Sequence, residues 1–264
     1  MKKLTILLLV MFSLCTTLTS MGAIKGEEVT YELQGVKMNG YVSYDESLKG
    51  SLPVVLVVHE WWGCNQFARE QADKIAALGY FAVAVDMYGD YKMANNPQQA
   101  MALSGVLYND AQLAFDRMNA AVQHVSKYPQ ANTKNVSAIG YCFGGSMVLN
   151  AAKMGMDLKV AVSFHGGLQG VPAQKGKTKA QILVCHGGAD PFVPQADVDA
   201  FRKNMDETGT NYDFKVYADA THAFTNPYST EAGKRFGLPI AYNEKASNDS
   251  WNDMKAFFAK HITK

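Results

Sequence analysis

Cysteine is scarce in this chain of 264 residues, which contains only Cys15, Cys64, Cys142 and Cys185. A disulfide framework in a protein of this length would need more cysteines, so we do not expect one. If the segment around Cys15 is removed on export, an odd number remains and at least one thiol must stay free. An unpaired thiol is a liability in an oxidising compartment, so its presence suggests a use.

An excess of charge of one sign is also missing, since 25 Lys and Arg stand against 24 Asp and Glu. Nucleic-acid partners usually require a basic excess, and we predict none. The sequence has no P-loop, no dinucleotide fingerprint, and no helical His-x-x-x-His or Cys-x-x-Cys pair, so we predict no cofactor and no metal. A metal site remains the rival use for one group of residues at predicted strand ends, which comprises His59, His165, His186 and Cys185.

The N-terminus has the order of a secretory signal peptide over residues 1–23. Lys2 and Lys3 precede an apolar run from Leu4 to Leu14, and small residues follow at Gly22 and Ala23. The run is shorter than the roughly 20 residues of a membrane-spanning helix, so a retained anchor is the weaker reading. We therefore predict an exported protein, periplasmic or secreted, with no stable membrane span after the signal is removed.

The remaining residues, 24–264, show strands alternating with helices and no linker or repeat, which predicts a single domain. Pro53–Val58 is a continuous apolar run, typical of a strand that is covered on both faces. Further strands are predicted at 28–34, 36–44, 80–85, 136–140, 160–164, 182–185 and 212–217, and helices at 65–78, 109–127, 145–154, 194–208 and 244–261, with Asn65 and Asn109 as N-caps. This alternation predicts an α/β fold with a mostly parallel sheet and helices on both faces.

A Gly-x-Cys-x-Gly pattern stands between a predicted strand and a predicted helix, at Gly140-Tyr-Cys142-Phe-Gly144-Gly145. This is the pattern of a nucleophile elbow with cysteine in place of serine. At a helix N-terminus the dipole favours a thiolate, and the N–H of Phe143 can face a developing oxyanion. The alternative, a small buried hydrophobic cysteine, explains the glycines less well.

A cysteine nucleophile needs a histidine base and an acid that orients it. Asp190 follows the predicted strand at 182–185, and His222 follows the one ending at Tyr217, in the chain order nucleophile, acid, histidine. Asp190 alone would be a turn residue, and His222 alone an ordinary hydrogen-bonded histidine. Their order and placement favour a triad with Cys142, and the N–H of Trp61, after the strand at 53–58, is predicted as the second oxyanion donor.

With these residues in place, the sequence resembles the dienelactone hydrolase family from about Tyr31 to the last predicted helix. The resemblance rests on Glu60-Trp-Trp-Gly63, Gly140–Gly145, Gly187–Pro194 and His222-Ala-Phe224. It implies the α/β-hydrolase fold, Cys142, Asp190 and His222 as a triad, Trp61 and Phe143 as oxyanion donors, and Glu60 as a modulator of the Cys142 thiol.

Two departures from the family pattern concern substrate charge. The family's arginines that hold a substrate carboxylate are replaced here by Asp90 and Asn226. We therefore expect a small, neutral ester or lactone as the substrate, with Arg69, Lys92 and Arg235 as the cations to test otherwise.

The leading hypothesis is a hydrolase of ester or lactone bonds that acts through a thioacyl-enzyme. An acyl transferase or a thioesterase is an alternative within the same class. A binding protein with an idle or redox-sensing thiol is the alternative from another class.

Overall fold

A computed structural model describes residues 24–263, and the predicted signal peptide, residues 1–23, lies outside this range. The strands are β1 (Ile24–Leu33), β2 (Val36–Asp45), β3 (Leu52–Val58), β4 (Phe81–Val85), β5 (Ala131–Tyr141), β6 (Val160–Phe164), β7 (Gln181–Gly187) and β8 (Tyr212–Tyr217). The helices are α1 (Gln66–Ala76), α2 (Pro97–Asn109), α3 (Ala111–Val125), α4 (Phe143–Lys153), α5 (Gln195–Thr208), α6 (Ser229–Phe236) and α7 (Glu244–His261).

All of these strands belong to one sheet with the order β1-β2-β4-β3-β5-β6-β7-β8. The pairs β1–β2 and β2–β4 are antiparallel, and every pair from β4–β3 to β7–β8 is parallel. The hairpin between β1 and β2 turns at Gln34 and Gly35, both with positive φ, which matches the twist of paired strands. The predicted α/β fold with a mostly parallel sheet is confirmed.

The two faces of the sheet carry separate apolar layers. Along β3 the side chains alternate, so that Val54, Leu56 and Val58 pack on one face while Val55 and Val57 pack on the other. Residues of α1 and α7 cover the second face, and residues of α2 to α5 cover the first. This double covering explains why the strand is apolar without interruption.

Two predicted helix caps have different outcomes. Asn65 caps α1 as expected, because its side chain accepts a hydrogen bond from Ala68 N. The prediction that Asn109 caps a long helix is wrong: Asn109 ends α2, and Asp110 caps α3 by accepting from Leu113 N. The carboxylate of Asp110 is as good a cap as an amide, so the helix begins one residue later.

The loops that follow β3, β5, β7 and β8 all leave the same edge of the sheet, because these strands are parallel. In the described part of the chain no helix is long and apolar enough to cross a membrane. The edge formed by these loops is where the chemistry-bearing residues of the sequence come together.

Candidate active site

Cys142 lies between β5 and α4 in a backbone conformation that few residues adopt, with φ 54° and ψ −117°. The turn is tight: a Cβ at Gly140 would come 2.1 Å from the carbonyl oxygen of Gly144. A Cβ at Gly144 would come 2.2 Å from the carbonyl oxygen of Val58 at the end of β3. Only glycine fits at these two positions, and the thiol is left at the N-terminus of α4.

Three side chains from separate loops form a hydrogen-bonded chain. The Sγ of Cys142 lies 2.9 Å from Nε2 of His222, and Nδ1 of His222 lies 2.8 Å from Oδ2 of Asp190. The carboxylate of Asp190 is fully buried, and its other oxygen accepts a hydrogen bond from Phe192 N at 2.9 Å. Asp190 therefore makes the turn expected of an Asp before proline and also contacts the histidine.

The electrostatics of the chain favour a proton on His222. Burial opposes the charged imidazole, but the Cys142 thiolate and the Asp190 carboxylate outweigh burial and raise the pKa of His222 well above its usual range. The N-terminus of α4 adds a favourable field at the sulfur. The protonated ring of His222 therefore faces the Cys142 sulfur.

A second buried histidine, His165, fixes the backbone at Cys142. The backbone N–H of Cys142 donates to Phe164 O at 3.0 Å and to Nδ1 of His165 at 3.1 Å. The opposite ring nitrogen of His165 then carries the proton and donates to Oγ1 of Thr225 at 2.7 Å. Burial and the nearby His222 hold the pKa of His165 well below its usual value, so the two adjacent rings do not both become cations.

The predicted oxyanion donors both border this site. Phe143 is the first residue of α4, so its N–H has no acceptor within the helix. Trp61 lies after β3 and lines the same cavity as Cys142. Their roles as oxyanion donors stay predictions, and the structure adds an account of how the Trp61 peptide is held.

His59 holds the peptide between Glu60 and Trp61. Its Nε2 accepts from Met87 N at 3.1 Å, so its Nδ1 carries the proton and donates to Glu60 O at 2.5 Å. The ring is fully buried, and burial lowers the pKa of His59, which keeps it in this neutral form. Because a trans peptide points its C=O and N–H in opposite directions, this bond turns the Trp61 N–H away from His59.

Tyr88 holds the next peptide of the same loop. Its hydroxyl donates to Trp61 O at 2.9 Å, and its ring meets the His59 ring edge to face with centroids 4.8 Å apart. Asp86 in turn fixes the segment by accepting from Tyr88 N and Gly89 N. The sequence identifies His59 as one of the rival metal ligands and does not reveal this support of the loop, although the position of His59 at the end of an apolar strand is an available signal.

Glu60 is buried next to the triad and bonded to Asn226. Its Oε2 accepts from Nδ2 of Asn226 at 2.6 Å, while its Oε1 is buried and has no partner among the described residues. Asn226, noted in the sequence as the replacement of an arginine, is oriented by accepting from Tyr228 N at 2.9 Å. Glu60 lines the same cavity as Cys142, and its effect on the thiol stays a prediction.

Replacing Glu60 by glutamine should raise the free energy of unfolding above pH 7 by up to about 3 kcal/mol. Burial raises the pKa of Glu60 from its usual 4.5 to about 7, so the folded state holds the proton more tightly than the unfolded state. That contribution is favourable at low pH and is lost as the pH rises towards 7. Urea unfolding at pH 5 and pH 8 measures it, with Glu32→Gln on the exposed side of β1 as the matched control. Equal pH dependence of Glu60→Gln and the wild type would contradict this account.

The cavity beside Cys142 has a volume of about 340 Å³ and is mostly apolar. No residue lining it in the described part of the chain is Lys or Arg. Its lining residues are Glu60, Trp61, Trp62, Met101, Ser104, Gly105, Tyr108, Cys142, Gly167, Phe192, Val193, His222, Ala223, Ser229, Leu238 and Ile240.

The segment after α6 forms part of the wall and supports His222. Ile240 pairs with His222 in a single β-bridge, and Ala241 N donates to His222 O at 3.4 Å. Leu238 and Ile240 both line the cavity. The segment between His222 and the last helix thus contacts His222 directly.

The cations named from the sequence are engaged elsewhere. Arg69 pairs with Glu28 at 2.6 Å, Lys92 pairs with Asp90 at 3.2 Å, and the guanidinium of Arg235 lies over the ring of Phe236. Asp90 is exposed and bonded to Lys92, outside the cavity lining. The cavity therefore offers a carboxylate substrate no cation from this group.

The rival metal reading receives no support from the geometry. Within residues 24–263 there is no group of three or more His, Cys, Asp or Glu placed to hold a metal ion. His59 and His165 are committed to the hydrogen bonds above, and the ring of His186 packs near Phe214. Cys64 and Cys185 are buried and free, and burial raises the pKa of each thiol to about 12.

Comparisons with known proteins identify the family. A family model described as the dienelactone hydrolase family matches residues 38–262. The crystal structure of a dienelactone hydrolase-like promiscuous phosphotriesterase, P91, from metagenomic libraries superposes with a TM-score of 0.85 at 30% identity, covering 92% of this chain and 100% of that chain.

Two sequence relatives agree. "Protein usf" of Aquifex pyrophilus is 29% identical over 243 residues, which cover 90% of this chain and all of the relative. A protein of Methylorubrum extorquens named "Putative carboxymethylenebutenolidase" is 29% identical over 224 residues, covering 80% of this chain and 73% of the relative. The match of fold and of nearly the whole described chain leads to one conclusion: this protein is a hydrolase that belongs to the dienelactone hydrolase family.

Proposed function

We propose that the protein hydrolyses small, neutral carboxylic esters or lactones through a thioacyl-enzyme on Cys142. One observation carries the proposal: the hydrogen-bonded chain from Cys142 Sγ through His222 to Asp190 opens on an apolar cavity. The name carboxymethylenebutenolidase, borne by a relative, supports a lactone or ester as the bond that is cleaved.

The first half of the reaction forms the thioester. His222 Nε2 holds the thiol proton, and Sγ of Cys142 bonds to the carbonyl carbon, whose π electrons move to the oxygen. The N–H groups of Trp61 and Phe143 donate to that oxyanion. When the carbonyl reforms, the C–O bond to the alcohol breaks, and the alkoxide takes the proton from His222 as it leaves.

The second half releases the acid by the same residues in reverse. His222, now neutral and oriented by Asp190, takes a proton from water as the water oxygen attacks the thioester carbonyl. Collapse of this second oxyanion breaks the C–S bond, and the thiolate is paired again with the imidazolium. In a lactone the alcohol and the acid remain joined, so the product is a single hydroxy acid.

The chemistry of the cavity supports a neutral substrate. A carboxylate bound there would lose its hydration without gaining a cation, because the lining contains neither Lys nor Arg within the described range. Glu60, which burial keeps partly protonated near neutral pH, would repel an anion further once ionised. An apolar or aromatic substituent would instead meet Trp61, Trp62 and Phe192.

We expect kcat/KM for a neutral aryl ester to exceed that for a matched ester with a carboxylate by at least about tenfold, because an unpaired buried carboxylate carries a desolvation penalty of several kcal/mol. p-Nitrophenyl hexanoate and mono-p-nitrophenyl adipate have the same leaving group and similar size, and both are measured at low and high salt. A preference for the adipate that weakens with salt would overturn the neutral assignment and direct mutagenesis to Arg69, Lys92 and Arg235. Failure of both esters to react would overturn the proposed reaction.

A further inference from the structure

Helix α2 is unusual for a surface helix because none of its residues is charged. Met101, Val106 and Tyr108 on this helix are 56%, 53% and 51% exposed. Single exposed apolar residues are common on protein surfaces, but a surface helix without any charge is not explained by packing alone. The position of α2 against the cavity offers the explanation.

One side of α2 forms a wall of the cavity beside Cys142. Met101, Ser104, Gly105 and Tyr108 all line it. The hydroxyl of Ser104 is turned back to donate to Ala100 O at 2.8 Å, so this polar group is already satisfied within the helix. This wall therefore presents a mainly apolar surface to a bound molecule.

Gly105 opens space in this wall. A Cβ placed on it would meet no atom within 4 Å. Glycine inside a helix is destabilising relative to alanine, and here no close approach of the backbone requires it. The position leaves room beside the helix where a side chain would otherwise stand.

Tyr108 and Phe192 border the opening of the cavity. The hydroxyl of Tyr108 lies 3.5 Å from Oγ of the buried Ser146, and half of the residue is exposed. Phe192, 50% exposed, also lines the cavity and lies edge-on to His222 with centroids 5.2 Å apart. Apolar surface thus continues from the triad to the exterior.

We infer that Met101, Gly105 and Tyr108 of α2, together with Phe192, form a subsite that binds an alkyl chain of the substrate. The inference rests on the proposed function, because the chain belongs to the ester that Cys142 attacks. The occupant is an alkyl chain of several carbons, carried either on the acyl side or on the alcohol side of the ester.

Chain length is the variable that tests the subsite. Each methylene buried in an apolar site improves binding by about fourfold, so a C6 chain should gain at least about tenfold in kcat/KM over a C2 chain. Two series of esters distinguish the acyl side from the alcohol side. The p-nitrophenyl esters from acetate to hexanoate vary the acyl chain, and the acetate esters from methyl to hexyl acetate vary the alcohol chain. A gain in one series assigns the subsite to that side of the ester, and hydrolysis of both series without a gain in either overturns the inference.

Substitutions on α2 provide the structural control. Gly105→Leu fills the open space and should reduce the C6-to-C2 ratio of kcat/KM at least tenfold. Met101→Gln, which adds a polar group to the same wall, should reduce the ratio in the same direction. Val106→Gln is the matched control, because Val106 is as exposed on the same helix but does not line the cavity.

A binding assay without turnover separates this inference from the proposed function. Hexanamide and acetamide are not expected to be cleaved, and protection of Cys142 against iodoacetamide measures their binding. Hexanamide should protect at a concentration at least tenfold lower than acetamide in the wild type, and Gly105→Leu should remove the difference. This result supports the subsite even if no ester is hydrolysed.

Equal protection by both amides in the wild type, or an unchanged difference in folded Gly105→Leu and Met101→Gln, would overturn the inference. A changed oligomeric state of those variants in gel filtration would also overturn the inference, because the uncharged face of α2 would then be a contact with a second copy of the chain.

Discussion

Cys142→Ala should lower ester turnover by at least about 10⁴-fold, because the substitution removes the atom that forms the thioester. The fold should survive. Cys142 is only half-buried, and alanine has the same Cβ as cysteine, so the strain of the positive φ at this position is unchanged. Initial rates with p-nitrophenyl acetate measure the loss, and thermal unfolding checks the fold.

Two further measurements show whether Cys142 itself is acylated. A slowly hydrolysed ester in excess should add the mass of one acyl group to the wild type and none to Cys142→Ala. Cys142→Ser, which preserves the shape of the side chain, should also be poorly active, since an alcohol depends on its base far more than a thiolate does. Substantial turnover by Cys142→Ala would show that another residue is the nucleophile.

His59→Phe should lower kcat by about 10²-fold while the rate at which iodoacetamide alkylates Cys142 changes less than twofold. Phenylalanine fills the space of the ring but cannot hold Glu60 O, so the Trp61 N–H is no longer fixed. Loss of a preorganised oxyanion donor costs about 10²- to 10³-fold in acyl transfer. Alkylation forms no oxyanion, so this reaction reports on the thiol alone.

The conservative variant is His59→Asn, whose amide can imitate the Nδ1 donor but cannot accept from Met87 N. It should recover part of the lost kcat, whereas a merely space-filling role for His59 would favour the phenylalanine. A parallel loss of turnover and alkylation in His59→Phe would indicate general damage to the site. An unchanged kcat would show that His59 is not needed to hold the Trp61 N–H.

The sequence predicted the central strands well because their burial on both faces leaves a continuous apolar signal. It did not reveal α2, since a helix without charged residues shows neither a polar face nor a clear apolar period. A local signal was present: Asn96 before Pro97 marks a helix start, and Asn96 indeed caps α2 by accepting from Gln99 N. The short α6 lacks a side-chain cap and had no comparable signal.

The site was predictable to the extent that its residues follow strands. The elbow and the order of Cys142, Asp190 and His222 placed these residues at one sheet edge, where the structure brings them within hydrogen-bonding distance. The bond between Glu60 and Asn226 joins residues 166 positions apart. No local pattern encodes such a contact, nor the bond from His59 to its neighbouring peptide, because both depend on how loops pack in the folded chain.

Cys142 and His222 are 80 positions apart in the chain, so the rate at which the Cys142 thiol is alkylated reports when distant parts of the sheet come together during folding. Their contact requires β5, β6, β7 and β8 to stand side by side, and such non-local pairing forms late relative to local helices. During refolding, a short pulse of iodoacetamide at neutral pH would label Cys142 slowly in any intermediate whose last strand is undocked. The rise of rapid labelling would then time the completion of the sheet's far edge, independently of the helical content seen by circular dichroism.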